Sequence, residues 1–405
     1  SLRQVFNMDI TITPRGLQGE ITAIPSKSIA HRMLICAAFS KQPTDMVCPE
    51  TNQDIEATAG CLRAIGAEIL RTKNGYHINP AQSIPKNAVL NCRESGSTLR
   101  FLLPIAGALG IDTIFKMEGR LPQRPLSPLW EEMERMGCKL QFISENELQC
   151  SGKLRPGEYY IDGNVSSQFI SGLLFATALM DGDSRIHIVD KLESAPYVAM
   201  TQKVIEQFGI NTDGFVIKGR QKLHSPGVVT VEGDWSNAAF FFASQALGNA
   251  VNINGLSRDS MQGDRVIAQL LPALEQNISI SASNIPDLIP ILAVVAAAKH
   301  GAVFTDIQRL RLKESDRVES VVSMINALGG RAEQAESTLS VYGTGLNGGT
   351  VDSKNDHRIA MSAAIAATVC TKPVTILGAD CVKKSYPSFG EEYKKLGGQY
   401  EQYLR

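Results

Sequence analysis

Six segments of the sequence are rich in small residues and are apolar on nearly every face of a helix. They cover residues 29–39, 99–109, 169–180, 237–247, 287–298 and 359–369. A helix without a polar face has to be enclosed by protein, because none of its sides is suited to water. Their regular recurrence therefore predicts six buried helices that belong to an internal repeat.

A second helix type lies between these segments and has one apolar face. It ends in an apolar residue that is followed by glycine, at Gly66, Gly137, Gly209, Gly329 and Gly397. Glycine is typical of the left-handed residue that closes a helix. A degenerate copy near Leu274 lacks the glycine. After each glycine, apolar and polar residues alternate around a turn, which predicts a hairpin of two strands.

The predicted repeat is strand, buried helix, strand, amphipathic helix, strand, strand. Six copies cover most of the chain and divide into two domains of three copies each. We expect residues 21–229 to form one domain, and residues 1–20 with 230–405 to form a discontinuous second domain. The predicted fold class is α/β: two inside-out α/β barrels, each built of three βαβαββ repeats with buried helices. Solenoid stacking of the same repeats is the competing arrangement.

Charge and composition narrow the class of protein. The 40 basic and 41 acidic residues give a net charge of -1, which provides no overall field for a nucleic acid or an anionic membrane. The longest apolar stretches are also shorter than the roughly 20 residues that a membrane-spanning helix needs. The eight cysteines contain no C-x-x-C pair and the six histidines no H-x-H, so neither a metal site nor a disulfide scaffold is predicted. We expect a cytoplasmic protein with reduced thiols and no nucleic-acid or membrane partner.

Cations and hydroxyl groups stand at the starts of several buried helices, where the helix dipole disfavours positive charge. These residues are Lys27, Ser28 and Arg32 in the first helix, Gly96 and Arg100 in the second, Ser166, Ser167 and Gln168 in the third, and His357 and Arg358 in the sixth. Free N–H groups, hydroxyls and cations together are typical of anion sites. The sequence therefore predicts a ligand with several negative groups.

Simpler interpretations of the individual segments stay open. The serines at 26–28 and 166–167 also suit ordinary helix N-caps. Lys313 and Arg317 share one face of a predicted helix, which also suits a solvated face with ion pairs. The G-x-G-x-x-G match at 343–348 precedes a strand pattern rather than a helix, which argues against a dinucleotide site.

Nine motifs together resemble the 5-enolpyruvylshikimate-3-phosphate (EPSP) synthase family and follow the family's order. They are PSKSIAHR (25–32), SGSTLRFL (95–102), GRLPQRPL (119–126), GNVSSQF (163–169), ESAPY (193–197), IPDLIP (285–290), LKESDR (312–317), NDHRIAM (355–361) and DCVKKSYP (380–387). The resemblance covers the chain from about Met8. It implies two domains of three repeats that are open in the free protein and close on substrate.

The resemblance also implies an activity. The expected enzyme is a 3-phosphoshikimate 1-carboxyvinyltransferase, which transfers the enolpyruvyl group of phosphoenolpyruvate to the 5-hydroxyl of shikimate 3-phosphate and releases phosphate. The reaction proceeds by addition and elimination through a tetrahedral intermediate, in the pathway to chorismate and the aromatic amino acids. No cofactor and no metal are implied, and we expect a monomer.

Site residues follow from the family's motifs, position by position. Those expected around shikimate 3-phosphate are Lys27, Ser28, Arg32, Ser166, Ser167, Gln168, Ser194, Tyr197, Asp287 and Lys313. Those expected around phosphoenolpyruvate are Lys27, Gly96, Arg124, Gln168 and Lys384 at its phosphate, with Arg317 and Arg358 at its carboxylate. Paired arginines suit that planar group. The resemblance assigns proton transfer to Glu314, the base at the 5-hydroxyl to Asp287 and a share of the acid role to Lys27.

Two residues depart from the family's pattern. Arg309 stands where the best-known members have asparagine, and Phe101 stands where they have proline. We leave Arg309 out of the site for this reason. The related transferase that acts on a UDP-sugar carries a cysteine ahead of the arginine matching Arg124, and residues 118–129 here contain none. A noncatalytic anion-binding repeat protein is the third interpretation.

Overall fold

The structure is a computed structural model that describes residues 8–404. The chain forms two compact units, each with a hydrophobic core of its own. We call Pro25–Glu232 the continuous unit, and Ser1–Ile24 with Gly233–Arg405 the discontinuous unit. The chain passes between them after residues 24 and 232, whereas the sequence predicts domain boundaries after residues 20 and 229.

Helices alternate along the chain between a buried type and an amphipathic type. The α-helices are α1 (Lys27–Ala38), α2 (Gln53–Ala64), α3 (Gly96–Leu109), α4 (Leu129–Arg135), α5 (Ser167–Ala178), α6 (Ala195–Gln207), α7 (Trp235–Ala246), α8 (Ile267–Ala273), α9 (Ile289–Ala298), α10 (Arg317–Ala327), α11 (His357–Ala366) and α12 (Phe389–Lys395). Short 3-10 helices cover Leu121–Gln123, Asp213–Phe215, Gly263–Val266, Pro286–Leu288, Gln308–Leu312, Ala367–Val369 and Ala379–Lys384.

Short strands connect the helices. They are β1 (Met8–Ile12), β2 (Gln18–Thr22), β3 (Thr44–Val47), β4 (Glu68–Thr72), β5 (Gly75–Asn79), β6 (Asn87–Asn91), β7 (Asp112–Lys116), β8 (Cys138–Ser144), β9 (Glu147–Gly152), β10 (Glu158–Asp162), β11 (Ser184–Val189), β12 (Val216–Ile217), β13 (Val228–Thr230), β14 (Ala250–Asn254), β15 (Ile278–Ser281), β16 (Ala302–Thr305), β17 (Arg331–Gln334), β18 (Thr338–Tyr342), β19 (Gly349–Asp352), β20 (Val374–Leu377) and β21 (Glu401–Leu404).

The odd-numbered helices α1 to α11 are the six that the apolar pattern predicts. In α9, residues 289–297 are all buried, whereas α2 buries only half of its residues, among them Ile55, Thr58 and Leu62 on one face. Five amphipathic helices end just before a glycine with positive φ, namely Gly66, Gly137, Gly209, Gly329 and Gly397. The predicted alternation of inner and outer helices is therefore confirmed.

The sheets show the same repeat. Four sheets begin with two parallel strands and end with two antiparallel ones, in the orders β13-β3-β5-β4, β6-β7-β9-β8, β15-β16-β18-β17 and β19-β20-β1-β21. The sheet β10-β11-β12 has three strands, and β14-β2 has two. The β14-β2 sheet has no hairpin because only residues 274–277 connect α8 to β15, at the position of the missing glycine.

Crossing strands connect the two units. β2 leads into α1 but pairs with β14 of the discontinuous unit, and β13 leads into α7 but pairs with β3 of the continuous unit. Each crossing strand therefore stays in the sheet of the unit that it leaves. All eight cysteines lie in the described residues, where they are buried and form no disulfide bond. No helix between residues 8 and 404 has the length and apolar character to cross a membrane.

Candidate active site

Most predicted site residues follow the carboxyl end of a strand that pairs in parallel. In the continuous unit Gly96 follows β6, Arg124 follows β7, Ser166 to Gln168 follow β10, and Ser194 and Tyr197 follow β11. In the discontinuous unit Asp287 follows β15, Lys313 to Arg317 follow β16, Arg358 follows β19 and Lys384 follows β20. Parallel strands bring their carboxyl ends to the same edge of a sheet, where ligands of α/β proteins bind.

Arg100 joins the starts of α3 and α5. Its Nη1 donates to Gln168 Oε1 at 2.9 Å, and its Nη2 donates to the carbonyl oxygen of Pro125 at 2.8 Å. Gln168 in turn donates from Nε2 to Ser97 Oγ at 2.9 Å. Ser166 caps α5 by accepting from the Gln168 N–H. The guanidinium thus fixes both helix starts and the loop that follows Arg124.

Gly96 and Arg124 lie in direct contact. A Cβ atom built on Gly96 would lie 2.6 Å from Arg124 Nη1, a distance that side-chain atoms cannot share. Gly96 is the first residue of α3, whose first turn contains no acidic residue. The absence of a side chain lets the buried guanidinium of Arg124 rest against the helix N-terminus. A guanidinium and a helix N-terminus both attract anions.

Lys27 begins α1 and pairs with an acid at the start of α2. Its Nζ lies 2.9 Å from Asp54 Oδ2, and both side chains are mostly buried. The Ser26 hydroxyl caps α1 by accepting from the Ile29 N–H. Ser28 stands half-buried beside Lys27. The start of α1 therefore carries an ammonium group that the Asp54 carboxylate positions.

Arg32 is buried one turn further along α1 and contacts α6. Its Nε donates to Thr201 Oγ1 at 2.7 Å, and Nη1 and Nη2 donate to the carbonyl oxygens of Ser28 and Tyr197 at 2.8 and 3.2 Å. Burial lowers the pKa of Arg32 to about 10. Its Cζ lies 4.9 Å from the centre of the Phe101 ring, a cation–π contact. Phe101, which departs from the family's pattern, therefore packs beneath a predicted ligand-binding arginine.

Ser194 and Tyr197 lie at the start of α6, beside Arg32 of α1. Ser194 precedes α6 in the left-handed conformation, with φ of 53°, and its carbonyl oxygen accepts from the Tyr197 N–H at 3.0 Å. The Tyr197 ring is half-buried and lies 6.0 Å from Arg32 Cζ. Eight of the ten predicted residues in the continuous unit thus lie at helix starts. Arg32 lies on the second turn of α1, and Arg124 lies just after the 3-10 helix Leu121–Gln123.

Arg317 is the centre of the cluster in the discontinuous unit. Its Nη1 donates to Asp287 Oδ1 at 2.6 Å, its Nη2 to Glu314 Oε2 at 2.7 Å and its Nε to Asp356 Oδ2 at 2.9 Å. Arg317 is 1% exposed, whereas Asp287 and Glu314 are each about one-fifth exposed. Three carboxylates hold one buried guanidinium, and two of them reach solvent.

Arg358 lies beside the same acids. It is the second residue of α11, which Asp356 caps by accepting from the Arg358 N–H at 3.0 Å. Its Nη1 donates to the carbonyl oxygen of Ser236 at 3.1 Å, and its Nη2 lies 3.9 Å from Asp287 Oδ2. Asp287 therefore stands between two arginines.

Charge and burial shift the pKa values of Asp287 and Lys313 downward, with opposite effects on their ionisation. Burial alone would raise the pKa of Asp287, but Arg358, Lys313 and Arg317 together hold it well below its ordinary value. Burial lowers the pKa of Lys313 to about 8, with Arg309 and Arg317 acting in the same direction and Asp287 opposing them. Asp287 is therefore ionised, and Lys313 loses its charge in mildly alkaline solution.

The structure corrects one sequence-based expectation. Lys313 and Arg317 do not share a helical face, because the chain leaves the 3-10 helix Gln308–Leu312 in extended conformation at Lys313 and α10 begins only at Arg317. Asp316 caps α10 by accepting from the Glu319 N–H at 3.2 Å. Glu314 still meets Arg317, but from an irregular turn rather than from a helix. The solvated helix face is therefore excluded as well.

Lys384 and Arg309 are two further buried cations of this unit. Lys384 is 5% exposed, and its Nζ donates to the carbonyl oxygen of Asn355 at 2.6 Å. Arg309 is buried, donates to the carbonyl oxygen of Ser283 at 3.3 Å and lies close enough to lower the pKa of Lys313. Arg309 is not among the residues predicted for the site, yet it lies near the predicted residue Lys313.

The sequence patterns do not select four acids that lie near the predicted residues: Asp54, Asp356, Asp234 and Asp264. Each acid among them follows a strand that pairs in parallel, which is the signal that could have found them. Between residues 8 and 404 no group of three or more histidine, cysteine or acidic side chains has a metal-binding arrangement. The three acids around Arg317 form ion pairs with its guanidinium instead.

Comparison with known proteins places this arrangement in a family. A family model described as EPSP synthase (3-phosphoshikimate 1-carboxyvinyltransferase) matches residues 12–393. A 3-phosphoshikimate 1-carboxyvinyltransferase of Clostridium kluyveri is 38% identical over 422 residues, which cover 97% of this chain and 98% of that protein. One of Clostridium perfringens is 41% identical over 418 residues, with 96% and 98% covered.

Solved structures show the same fold. EPSP synthase from Acinetobacter baumannii superposes with a TM-score of 0.79 at 22% identity and covers 98% of this chain and 100% of its own. The enolpyruvyl transferase NikO from Streptomyces tendae superposes with a TM-score of 0.77 at 18% identity, with 99% and 100% covered. The predicted two-domain inside-out α/β fold is confirmed, and the breadth of the family match means that this chain belongs to the EPSP synthase family.

Proposed function

We propose that this chain transfers the enolpyruvyl group of phosphoenolpyruvate to the 5-hydroxyl of shikimate 3-phosphate and releases inorganic phosphate. The observation that carries the proposal is the concentration of cations, hydroxyls and N–H groups at the starts of α1, α3, α5, α10 and α11 in a chain of this family. Together the two substrates carry two phosphates and two carboxylates, which such helix starts bind well.

The continuous unit contributes most of the groups for shikimate 3-phosphate. We assign its phosphate and ring substituents to Lys27, Ser28, Arg32, Ser166, Ser167, Gln168, Ser194 and Tyr197, and its hydroxyls also to Asp287 and Lys313 of the discontinuous unit. Arg32 already donates to Ser28 and Tyr197, so it orders two of its neighbours in this set. Its remaining N–H groups suit a carboxylate or phosphate oxygen.

The phosphate of phosphoenolpyruvate is assigned to the Gly96 N–H and to Lys27, Arg124, Gln168 and Lys384. The contact between Gly96 and Arg124 supports this assignment, because it places a guanidinium at a helix N-terminus. The carboxylate is assigned to Arg317 and Arg358, both of which lie beside Asp287.

The chemistry begins with a proton that Glu314 delivers to the methylene carbon of phosphoenolpyruvate, with Lys27 sharing the acid role. The 5-hydroxyl oxygen bonds to the adjacent carbon as its own proton passes to Asp287. In the second half, a methyl proton returns to the protein, the carbon–carbon double bond forms again and the bond to phosphate breaks. The cations stabilise the departing phosphate, and no step is assigned to a metal or a cofactor.

Asp287 gains basicity when the substrates bind. In the free protein Arg317 and Arg358 lie 2.6 and 3.9 Å from its two oxygens and, together with Lys313, lower its pKa. A substrate carboxylate on these arginines offsets part of their charge, so the pKa of Asp287 rises toward the range of a useful base. The base is therefore active chiefly in the loaded site.

A phosphate-release assay tests the proposal. Phosphate should appear when phosphoenolpyruvate is supplied with shikimate 3-phosphate, and it should not appear with phosphoenolpyruvate alone or with a UDP-sugar. Phosphate release with the UDP-sugar would show that the chain catalyses the reaction of the related transferase that acts on a UDP-sugar. Binding of shikimate 3-phosphate by calorimetry without any phosphate release would identify a noncatalytic anion-binding protein.

The localisation, oligomeric state and partners that we propose are those expected from the sequence. We assign the protein to the cytoplasm as a monomer that uses its two small-molecule substrates without a nucleic-acid or membrane partner. Analytical ultracentrifugation of the purified chain tests the monomer, and a sedimenting mass of twice 43.9 kDa would contradict it.

A further inference from the structure

Asp264 is a buried carboxyl group in the discontinuous unit that the proposed roles leave unused. It lies in the 3-10 helix Gly263–Val266, which follows β14, and it is 2% exposed. Its Oδ2 accepts a hydrogen bond from Ser236 Oγ, whereas no donor among residues 8–404 contacts its Oδ1. A buried carboxylate oxygen without a donor is costly. The neutral acid therefore fits this position better than the anion does.

Four groups from three other elements face Asp264. Asp234 and Ser236 lie at the start of α7, Asp287 lies ahead of α9, and Arg358 lies on α11. Burial is the largest influence and raises the pKa of Asp264. Asp287 and Asp234 raise it further, and the Ser236 hydroxyl and Arg358 lower it, so that the balance is a pKa of about 7.

Ser236 links this carboxyl group to the cations of the site. Its hydroxyl donates to Asp264, and its carbonyl oxygen accepts from Arg358 Nη1 at 3.1 Å. An anion on Arg358 adds negative charge near Asp264 and partly neutralises the arginine that favours its ionised form. Both effects favour protonation of Asp264. The two equilibria are linked: the factor by which a bound anion strengthens proton binding at Asp264 is also the factor by which a neutral Asp264 strengthens anion binding.

We propose that Asp264 is a positioning residue that takes up a proton from solvent when phosphoenolpyruvate binds at Arg358 and releases it when the site empties. This inference rests on the proposed function, which assigns the substrate carboxylate to Arg358. The proton joins the Asp264 carboxylate, and no other bond changes. Its uptake removes one carboxylate charge that competes with the substrate for Arg358.

The Michaelis constant for phosphoenolpyruvate tests this coupling in the substitution Asp264→Asn, which keeps the Ser236 hydrogen bond but cannot ionise. At pH 6 the Asp264→Asn variant and the parent should have similar KM values, since Asp264 is mostly neutral there. At pH 8.5 the KM of the variant should be about three- to tenfold lower, because a coupling of one pKa unit corresponds to tenfold. The turnover number should change less than KM does.

A purely structural role predicts a different result. Loss of a structural contact would raise KM or lower turnover at every pH, so a KM ratio that is the same at pH 6 and pH 8.5 would overturn the proposal. Taking the ratio at each pH cancels the ionisation of the substrates and of Lys313, which the parent and the variant share.

Carbon-13 NMR of the aspartate carboxyl groups decides the matter without catalysis. The resonance that Asp264→Asn removes should titrate near pH 7 in the free protein and at higher pH with phosphoenolpyruvate added. Ser236→Ala removes the hydroxyl that favours the ionised form, so it should also move the midpoint upward, and it identifies the resonance if Asp264→Asn does not fold. A midpoint below pH 5 would refute the proposal. A chain that releases no phosphate would refute the proposed function instead, and the titration would still be measured.

The pH dependence of thermal stability also tests the raised pKa of Asp264, because the pKa shift fixes the direction of the change. The pKa of Asp264 in the folded protein exceeds the value of about 4 expected in the unfolded chain. The contribution of Asp264 to the free energy of unfolding is therefore complete below about pH 4 and is lost as the pH rises through about 7. The melting temperature of Asp264→Asn relative to the parent should rise between pH 5 and pH 8, and a constant difference would contradict the pKa shift.

Discussion

The two clusters of cations differ in what holds them. In the continuous unit, Arg32 donates to hydroxyl and carbonyl oxygens, which are neutral, although Lys27 is paired with Asp54. In the discontinuous unit, Arg317 donates to three carboxylates, and Arg358 lies beside Asp287. Neutral partners leave the positive charge of a guanidinium uncompensated, whereas carboxylate partners offset it.

This difference separates two ways of binding an anion. A phosphate can bind to Arg32 without displacing a carboxylate, so binding there needs little rearrangement of protons. In the discontinuous unit, an incoming carboxylate competes with acids already on the arginines. Binding there changes the ionisation of those acids, which is useful where proton transfer is required. We therefore expect substitutions in the first cluster to affect mainly binding, and those in the second to affect mainly turnover and pH dependence.

The largest expected effect is that of Glu314→Gln in the acid-rich cluster. Glutamine retains the volume and can still accept from Arg317, but it cannot deliver a proton, so turnover should fall by about 10²- to 10⁴-fold. Loss of a negative charge beside Arg317 should leave the KM of phosphoenolpyruvate unchanged or lower. Steady-state kinetics with a melting curve measure both.

Glu319→Gln is the matched control for this substitution, since Glu319 is an exposed acid in the first turn of α10. It should leave turnover near that of the parent. If Glu314→Gln also retains a turnover number within threefold of the parent, Glu314 is not part of the mechanism.

Gly96→Ala should produce the next largest effect, this time on binding. The added Cβ would lie 2.6 Å from Arg124 Nη1 and would push the guanidinium away from the start of α3. Overpacking of this kind costs about 1–3 kcal/mol, so the KM of phosphoenolpyruvate should rise by roughly 5- to 100-fold, and the affinity for shikimate 3-phosphate should change far less.

Gly60→Ala provides the control for added volume, because a Cβ at Gly60 of α2 meets no atom within 4 Å. Both Michaelis constants should match those of the parent. An unchanged KM for phosphoenolpyruvate in Gly96→Ala would show that Arg124 yields without loss and would weaken the distinction between the two clusters.

A smaller effect is expected from the charge of Lys313. Because its pKa is about 8, Lys313 is positive below that pH and loses its charge above it. The value of kcat/KM should therefore fall by up to about tenfold per pH unit above pH 8. Lys313→Arg keeps the charge to much higher pH and should move the fall upward. The same midpoint in both proteins would assign the alkaline limit to another group.

The smallest expected effect is that of Asp54→Asn, which removes a carboxylate partner of Lys27. Asparagine still offers an amide oxygen to the Lys27 ammonium, so the change should stay near about 1 kcal/mol and kcat/KM should change by less than about fivefold. Asp45→Asn is the control, because Asp45 pairs with the exposed His77. A loss of several hundredfold in Asp54→Asn alone would show that this cluster also depends on a paired carboxylate.

The fold could be predicted from local patterns, because each repeat specifies its own helix types. The irregular turn at Lys313 could not be predicted from charge spacing, since cations at i,i+4 are compatible with a helix. A better local signal was present: Asp316 followed by Glu319 is the pattern of a helix N-cap and third residue, and it places the start of α10 where the structure has it. Capping signals therefore outweigh charge periodicity in this segment.

The partners of the site residues required the structure. Arg317 meets Asp356, which lies 39 positions further along the chain, and Arg100 meets Gln168 across 68 positions. No spacing rule relates such residues, because the contacts arise only when separate repeats place their strand ends and helix starts side by side. Sequence motifs identified the chemical groups, whereas topology determined which groups share a hydrogen bond.

The placement of β1 has a consequence for the order in which the protein is completed during synthesis. β1 lies between β20 and β21, with Ile10 opposite Ile376 and Met8 opposite Leu404. Its partners leave the ribosome more than 360 residues after β1 does, whereas every strand of the continuous unit has its partners by Thr230. We expect the continuous unit to fold first on the nascent chain. β1 can pair with β20 and β21 only after the last repeat has been synthesised.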